Sequence, residues 1–308
     1  MSEQTCRVLY AKYNPTRSPD FRVTTEICED EGGLFVRKRA GESAARAHLE
    51  RIRENSERLR DYYDGIQVIS CEWADGSLRF PYIAGQNLAE QIDAEHLDRE
   101  RFVAQVNERL ERVLHVQQRF VTPFRPSPEF EAMFGRNELG EDVPALNPVN
   151  IDSQLSNFIE NESGLYCIDC EWVCHFPVPL DYVRYRALRY LYRNQVQHQI
   201  KDIGLEEMLG WFGFPTQQIQ IFQNMERCFL QHVHGEGCKY IYTERYRKPS
   251  VSLSKSRFGR RANPGGRLTE GIKRIARHNK TMYGVLRMAQ AALRQGPGYA
   301  LRNRKAFF

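Results

Sequence analysis

Long apolar runs are missing from this chain of 308 residues. No stretch approaches the ~18 consecutive apolar residues of a membrane span, and the N-terminal MSEQTCRVLYAKYN lacks the apolar centre of a secretory signal. A cytoplasmic location is expected, with peripheral contact at the inner membrane face open through the basic tail described next. A cysteine framework is missing too: Cys6, Cys28, Cys71, Cys167, Cys170, Cys174, Cys228 and Cys238 are scattered, which points to reduced, buried thiols. Acidic side chains are almost absent from residues 248–308, where 15 Lys/Arg face only Glu270, giving +14; the +5 of the whole leaves −9 for residues 1–247. Such a tail is built to touch something anionic, a membrane surface or an acidic partner. No recognised nucleic-acid motif accompanies it, so nucleic acid is not the expected partner. No internal repeat is visible.

What is present is a globular composition, 41% hydrophobic and 27% charged, enough to bury one or two cores. Residues 7–13 (RVLYAKY), 21–30 (FRVTTEICED) and 34–40 (LFVRKRA) alternate as strands. Residues 41–63 carry Ala44, Ala47, Leu49, Ile52 and Leu59 at helical spacing. IQVISCEW and SLRFPYI, split by Asp75-Gly76, read as a hairpin, so the order is β-β-β-α-β-β. From Gly85 the texture turns helical, with NLAEQI and DRERFVAQVNERLERVLHVQQRF as helices. Residues 123–148 read as a Pro-rich loop, and NIDSQLSNFIE and GLYCIDCEWV as a small hairpin. Residues 181–246 are largely helical, and the tail ends in an amphipathic stretch. Three segments follow: a β-rich lobe at 1–84, a helical lobe at 85–247 and a basic linker with a helix at 248–308.

Phosphoryl transfer asks a protein for a cation on the phosphates, oxygen ligands for Mg²⁺ and a carboxylate to take the hydroxyl proton. Asp152 and Asn157 stand in D-x-x-x-x-N spacing on a short loop, and Asp169 follows one hairpin later. Upstream lie Lys38 on the third strand, a charged helix, and an apolar Phe80-Pro81-Tyr82-Ile83 ending at Gly85. Strand alternation turns Arg37 and Arg39 to the face opposite Lys38.

These features together resemble the protein-kinase-like superfamily, in its small-molecule branch of aminoglycoside phosphotransferases, choline kinases and lipopolysaccharide kinases. NIDSQLSN and IDCEW mirror that branch's catalytic-loop and I-D-x-E motifs. AKYNPTRSPDFRVTTEI, FEAMFG and IDCEWVCHFPVPLDYVRYRAL are similar to a kinase-like module of bacterial surface-polysaccharide proteins, across roughly residues 7–247. The resemblance implies a two-lobed α+β fold, a small antiparallel lobe with one helix above a larger helical lobe, plus the basic tail. It implies ATP and Mg²⁺ as cofactors and phosphoryl transfer to a sugar or glycan hydroxyl, beside a methyltransferase or glycosyltransferase partner.

Residue by residue it implies Lys38 on the phosphates, Asp152 as base, and Asn157 and Asp169 on Mg²⁺. Glu171 is an extra metal ligand or supporting group, and Tyr82 and Ile83 meet the adenine. Glu50 is the preferred helix carboxylate for Lys38, with Glu42 and Glu54 as alternatives. Two departures stand out. Asn150 replaces the usual His, and the connection NPTRSPDF has no glycine to bring backbone amides to a phosphate, leaving Arg17 to reach it through its side chain.

Other clusters are read conservatively. Cys167 and Cys170 are expected on opposite sides of a strand, and Cys228, His232, His234 and Cys238 match no common zinc spacing. The run from Tyr182 to Tyr192 is expected to bury tyrosines and expose arginines, which could line an anionic groove. The alternatives to an enzyme are a pseudokinase scaffold and an adaptor acting through residues 248–308.

Overall fold

The structure is a computed structural model. It describes residues 6–235 except 93, 95–97, 141–142 and 200–201. The chain divides into two units, Met1–Pro249 and Ser250–Phe308, and all described residues lie in the first. The expected tail helix and Cys238 fall outside them.

Strands β1 (Arg7–Tyr13), β2 (Val23–Asp30) and β3 (Gly33–Ala40) form an antiparallel meander. Helix α1 (Arg46–Arg58) follows, then β4 (Ile66–Val68), β5 (Glu72–Ala74) and β6 (Ser77–Pro81). The sheet order is β1-β2-β3-β6-β5. Leu49 and Ile52 of α1 bury themselves with Val23, Ile69, Leu78 and Phe80 to make the core of this lobe. Each fully buried side chain of this kind is worth about 1.5–3 kcal/mol, so packing holds α1, whose N-terminus carries no side-chain cap. β4 departs from the expectation of one strand over 66–73. The chain breaks after Val68, and β4 instead runs parallel to a strand of the second lobe.

That lobe begins with β7 (Gln86–Asn87) and α2 (Arg99–Leu114), capped by the Asp98 carboxylate accepting from the Arg101 amide at 2.9 Å. NLAEQI is not helical; Leu88 and Ile92 serve as buried anchors of a turn-rich segment. α2 stops earlier than its pattern suggests because Val116 turns extended to bridge Tyr63, with the Gln117 amide on the Tyr62 carbonyl at 3.0 Å. β8 (Val121–Pro123) leads to α3 (Pro128–Phe134), in a region expected to be loop. Its start signal was present: Ser127 caps the helix, with proline at its first position, and Phe130 and Phe134 are fully buried.

Next come β9 (Pro144–Leu146), β10 (Val149–Asn150), β11 (Phe158–Asn161), β12 (Gly164–Cys167), β13 (Val173–Cys174) and β14 (Val178–Pro179). Then follow α4 (Leu180–Leu191), a π turn into α5 (Gln197–Gln199), α6 (Leu205–Trp211) and α7 (Thr216–His234). The β11–β12 hairpin sits in a four-stranded sheet of order β4-β12-β11-β7. α3, α4, α6 and α7 enclose the large core with Tyr182, Tyr185, Phe222 and Phe229.

Residues 82–85 join the lobes. Asn161 donates to the Ala84 carbonyl at 2.9 Å, and Gly85 takes φ +154° against β11. A Cβ there would lie 2.4 Å from the Glu160 carbonyl oxygen. Gly85→Ala is therefore expected to cost about 2–3 kcal/mol, read as a lowered denaturant midpoint with an unchanged slope.

Candidate functional site

The cleft between the lobes collects most of the residues singled out in the sequence. On β3, Lys38 faces inward while Arg37 and Arg39 turn outward to Glu26, as alternation requires. Lys38 is 5% exposed, and its Nζ donates to Asp169 Oδ1 at 2.7 Å. Burial is the largest single influence on this amine and favours its neutral form, but the charges of Asp169 and Glu171 outweigh it and hold the pKa above the usual lysine value.

Asp152 lies on the turn after β10 and Asn157 in the 3₁₀ turn before β11. Asn157 Nδ2 donates to the Asp152 carbonyl at 2.9 Å, which orients the carboxamide and leaves its oxygen for other work. Asp169 keeps Oδ2 in a side chain 28% exposed, because Oδ1 takes Lys38 and the Glu171 amide. An amide oxygen and a carboxylate oxygen form a hard donor set suited to Mg²⁺.

Asn150, standing where a His was expected, is fully buried and makes the loop's central brace. Its Nδ2 donates to the Asp169 carbonyl at 3.1 Å and to Tyr63 Oη at 3.2 Å, and its Oδ1 accepts from the Asp152 amide at 3.1 Å. It thus ties the Asp152 turn to the Asp169 turn. Tyr63 Oη also lies 2.9 Å from Ser153 Oγ.

The expectation for Glu50 is overturned. Glu50 is on the solvent side of α1, paired with Arg46 at 3.3 Å; Glu42 pairs with Arg22, and Glu54 is exposed. The α1 positions facing the cleft are His48 and Asn55, one helical stripe with Ile52. His48 Nε2 lies 2.9 Å from Glu171 Oε1, and Asn55 donates to the Cys170 carbonyl at 3.1 Å. Glu171 as a metal ligand is also not what the geometry offers: its Oε1 serves both Arg17 and His48, and its Oε2 accepts from Arg17. Burial would raise this carboxyl, yet Arg17, His48 and Lys38 hold it well below the usual carboxylate range.

Tyr82 and Ile83 are half-buried in the segment joining the lobes. Ile83, Val36, Tyr166 and Ile168, drawn from both lobes, pack half-buried against the core of the first lobe and offer apolar surface of the kind that holds a nucleobase.

Arg186 is the residue that sequence reading missed. The arginines of α4 were expected at the surface, but Arg186 is 1% exposed. It donates Nε to the Ile151 carbonyl at 2.9 Å, Nη2 to Asp152 Oδ1 at 2.9 Å and Nη1 to Glu226 Oε2 at 2.5 Å. Its place on the helix, one turn after the buried Tyr182 and Val183, was the available signal. Burial raises the Asp152 pKa, with Arg186 opposing and Asp169 and Glu171 adding to the rise.

The cysteines also differ from expectation. β12 ends at Cys167, so Cys170 lies past the strand and the two sulfurs come within 3.9 Å. Of the Cys228 cluster, Cys228 packs near Gly135, His232 lies tilted against Phe21 and His234 meets Thr16. Among the described residues no group of three or more His, Cys, Asp or Glu is placed to hold a metal, and no helix is long and apolar enough to cross a membrane.

Glu226 is buried between Arg186 and Arg189. Burial would raise its pKa, but the two guanidiniums lower it. A depressed carboxylate stabilises the fold above its unfolded pKa of about 4.3 and loses that contribution as pH falls through the folded value. Glu226→Gln is expected to cost about 3–5 kcal/mol near pH 7, and the gap to wild type in thermal midpoint should narrow below about pH 4.

No family model and no curated protein matches the chain. Solved structures with a similar course of chain include a macrolide 2'-phosphotransferase from Brachybacterium faecium, at 12% identity over 73% of this chain and 83% of that one, TM-score 0.33. Another is the aminoglycoside phosphotransferase APH(2'')-Ib with ADP bound, at 12% identity, 72% and 95% coverage and TM-score 0.31. A choline/ethanolamine kinase family protein from Mesorhizobium loti follows at 13% identity, 92% and 84% coverage and TM-score 0.29. These scores mark a distant likeness and carry no activity over to this chain. On its own topology the fold is the two-lobed α+β arrangement expected from the sequence, a five-stranded antiparallel lobe with one helix joined through residues 82–85 to a larger, mainly helical lobe.

Proposed function

We propose that the chain is an ATP- and Mg²⁺-dependent phosphotransferase acting on a hydroxyl of a sugar or glycan in bacterial surface-polysaccharide assembly. The observation that carries the reading is the Lys38–Asp169 bond at 2.7 Å, made across the two lobes above a loop that presents Asp152 and Asn157. The apolar side chains of Val36, Ile83, Tyr166 and Ile168 would hold the adenine, and Lys38 the phosphates. Asp169 and Asn157 supply the oxygens for Mg²⁺, which when bound neutralises charge on the phosphates. Asp152 accepts the acceptor's proton on the oxygen not engaged by Arg186 and Gln154. The glycan acceptor rests on the motif resemblance, as does a methyltransferase or glycosyltransferase partner. Residues 248–308, at +14, would bring the chain to an anionic membrane surface or partner.

One observation favours a second reading, a nucleotide-binding scaffold: Asp152 Oδ1 is already shared between Arg186 and Gln154. Asp152→Asn separates the two. For the enzyme, phosphate transfer from labelled ATP to a glycan acceptor should fall about 10²–10⁴-fold while the Mg·ATP-induced rise in thermal midpoint survives. Asp169→Ala should shrink that rise and remove its dependence on Mg²⁺. No midpoint shift of the wild-type chain at millimolar Mg·ATP would contradict both readings.

A further inference from the structure

The carboxylate that the motif resemblance offers to a metal is spent inside the protein. Arg17 forks onto Glu171, and His48 Nε2 sits on the same carboxylate at 2.9 Å. A dication on Glu171 would compete with the Arg17 guanidinium, whose side chain is 19% exposed. Resting on the nucleotide reading above, we propose that Arg17, anchored by Glu171, is a phosphate-binding group: a protein cation standing where the resemblance places metal-binding Glu171, which with Lys38 grips a nucleoside diphosphate without a metal.

The N–H inventory allows it. Of the five donors of a guanidinium, Arg17 spends two of Nη1 on Glu171 and the Phe21 carbonyl and one of Nη2 on Glu171. The Nε hydrogen and the second Nη2 hydrogen remain, and a planar fork is the geometry that phosphate oxygens accept. The group borders the cleft, because Glu171, its partner, stands two residues from Asp169 and donates its own amide to Asp169 Oδ1 at 3.2 Å. Its connection, NPTRSPDF, holds no glycine, so backbone amides cannot approach a phosphate closely and a side chain must.

Arg17 is also held still. The Ser18 amide donates to the Val233 carbonyl at 2.9 Å, and His234 Nδ1 lies 2.8 Å from the Thr16 carbonyl oxygen, so the last turn of α7 clamps both neighbours of Arg17. Phe21 packs on His48 and Trp172, with ring centroids 5.1 Å apart in each case. The guanidinium itself lies 5.8 Å from the Trp172 ring centre. A clamped cation loses little freedom when the anion arrives, which favours binding.

Calorimetry on the full chain tests this with ADP in EDTA, ADP with Mg²⁺, and adenosine, for wild type, Arg17→Gln, Arg17→Lys and Glu171→Gln. Wild type is expected to bind ADP in EDTA, and Arg17→Gln to weaken that binding about ten- to hundredfold while leaving adenosine affinity unchanged. Arg17→Lys, which keeps the charge and loses the fork, should fall between, as should Glu171→Gln. If Arg17→Gln fails to fold, Arg17→Lys carries the comparison. Wild type that binds Mg·ADP but not ADP in EDTA overturns the inference and leaves the proposed function standing. So does ADP affinity in EDTA that is equal in wild type and both Arg17 variants. Wild type that binds no nucleotide under any condition overturns both.

Discussion

The cross-lobe bond from Lys38 to Asp169 is the contact on which the rest of the site depends. A lysine ammonium this deeply buried survives only beside a counter-charge, and the nearest one comes from the other lobe. The pair therefore fixes the spacing of the lobes as well as the chemistry between them. Around it the same rule repeats. Glu171 from the second lobe takes Arg17 and His48 from the first, and Asp152 takes Arg186 from the helix behind it. Every acidic group of the cleft has a basic partner from a distant part of the sequence, so the cleft is close to charge-balanced before any ligand enters.

That balance shapes how a polyanionic ligand would be received. Displacing Lys38 from Asp169 exchanges one ion pair for another, Lys38 with phosphate, and frees a carboxylate oxygen. The Arg186–Glu226–Arg189 network holds Asp152 through Oδ1 and leaves its other oxygen unengaged by these arginines. Asn150 braces the same loop with neutral hydrogen bonds to Asp169 and Asp152, which links the two acidic turns without adding charge.

Much of this was legible in the sequence, and the reasons are local. Lys38 stands out because strand alternation separates it from Arg37 and Arg39. Asp152, Asn157 and Asp169 stand out by spacing along a loop and hairpin. The failures are all of tertiary origin. Glu50 is two residues from His48, on the far side of the helix from the cleft, and only the docking of α1 on the sheet through Leu49 and Ile52 decides which side that is. Arg186 was assigned to the surface because arginine is so seldom fully buried; nothing local announces that Glu226, forty residues later, will neutralise it. β4 was read into the first lobe, yet its partner is β12, about a hundred residues away. The helix at Pro128–Phe134 is a different kind of miss, since Ser127 and Pro128 signalled it.

The most direct measurement is a crystal structure of the full chain with Mn²⁺ and a non-hydrolysable ATP analogue, with the metal located by its anomalous signal. The account requires the base against Ile83 and Tyr166, phosphate oxygens on Lys38 and Arg17, and Mn²⁺ on Asp169 and Asn157 with the Arg17–Glu171 pair intact. An analogue bound outside the cleft, or a cleft in which Lys38 stays on Asp169 with no nucleotide at saturating concentration, would contradict it.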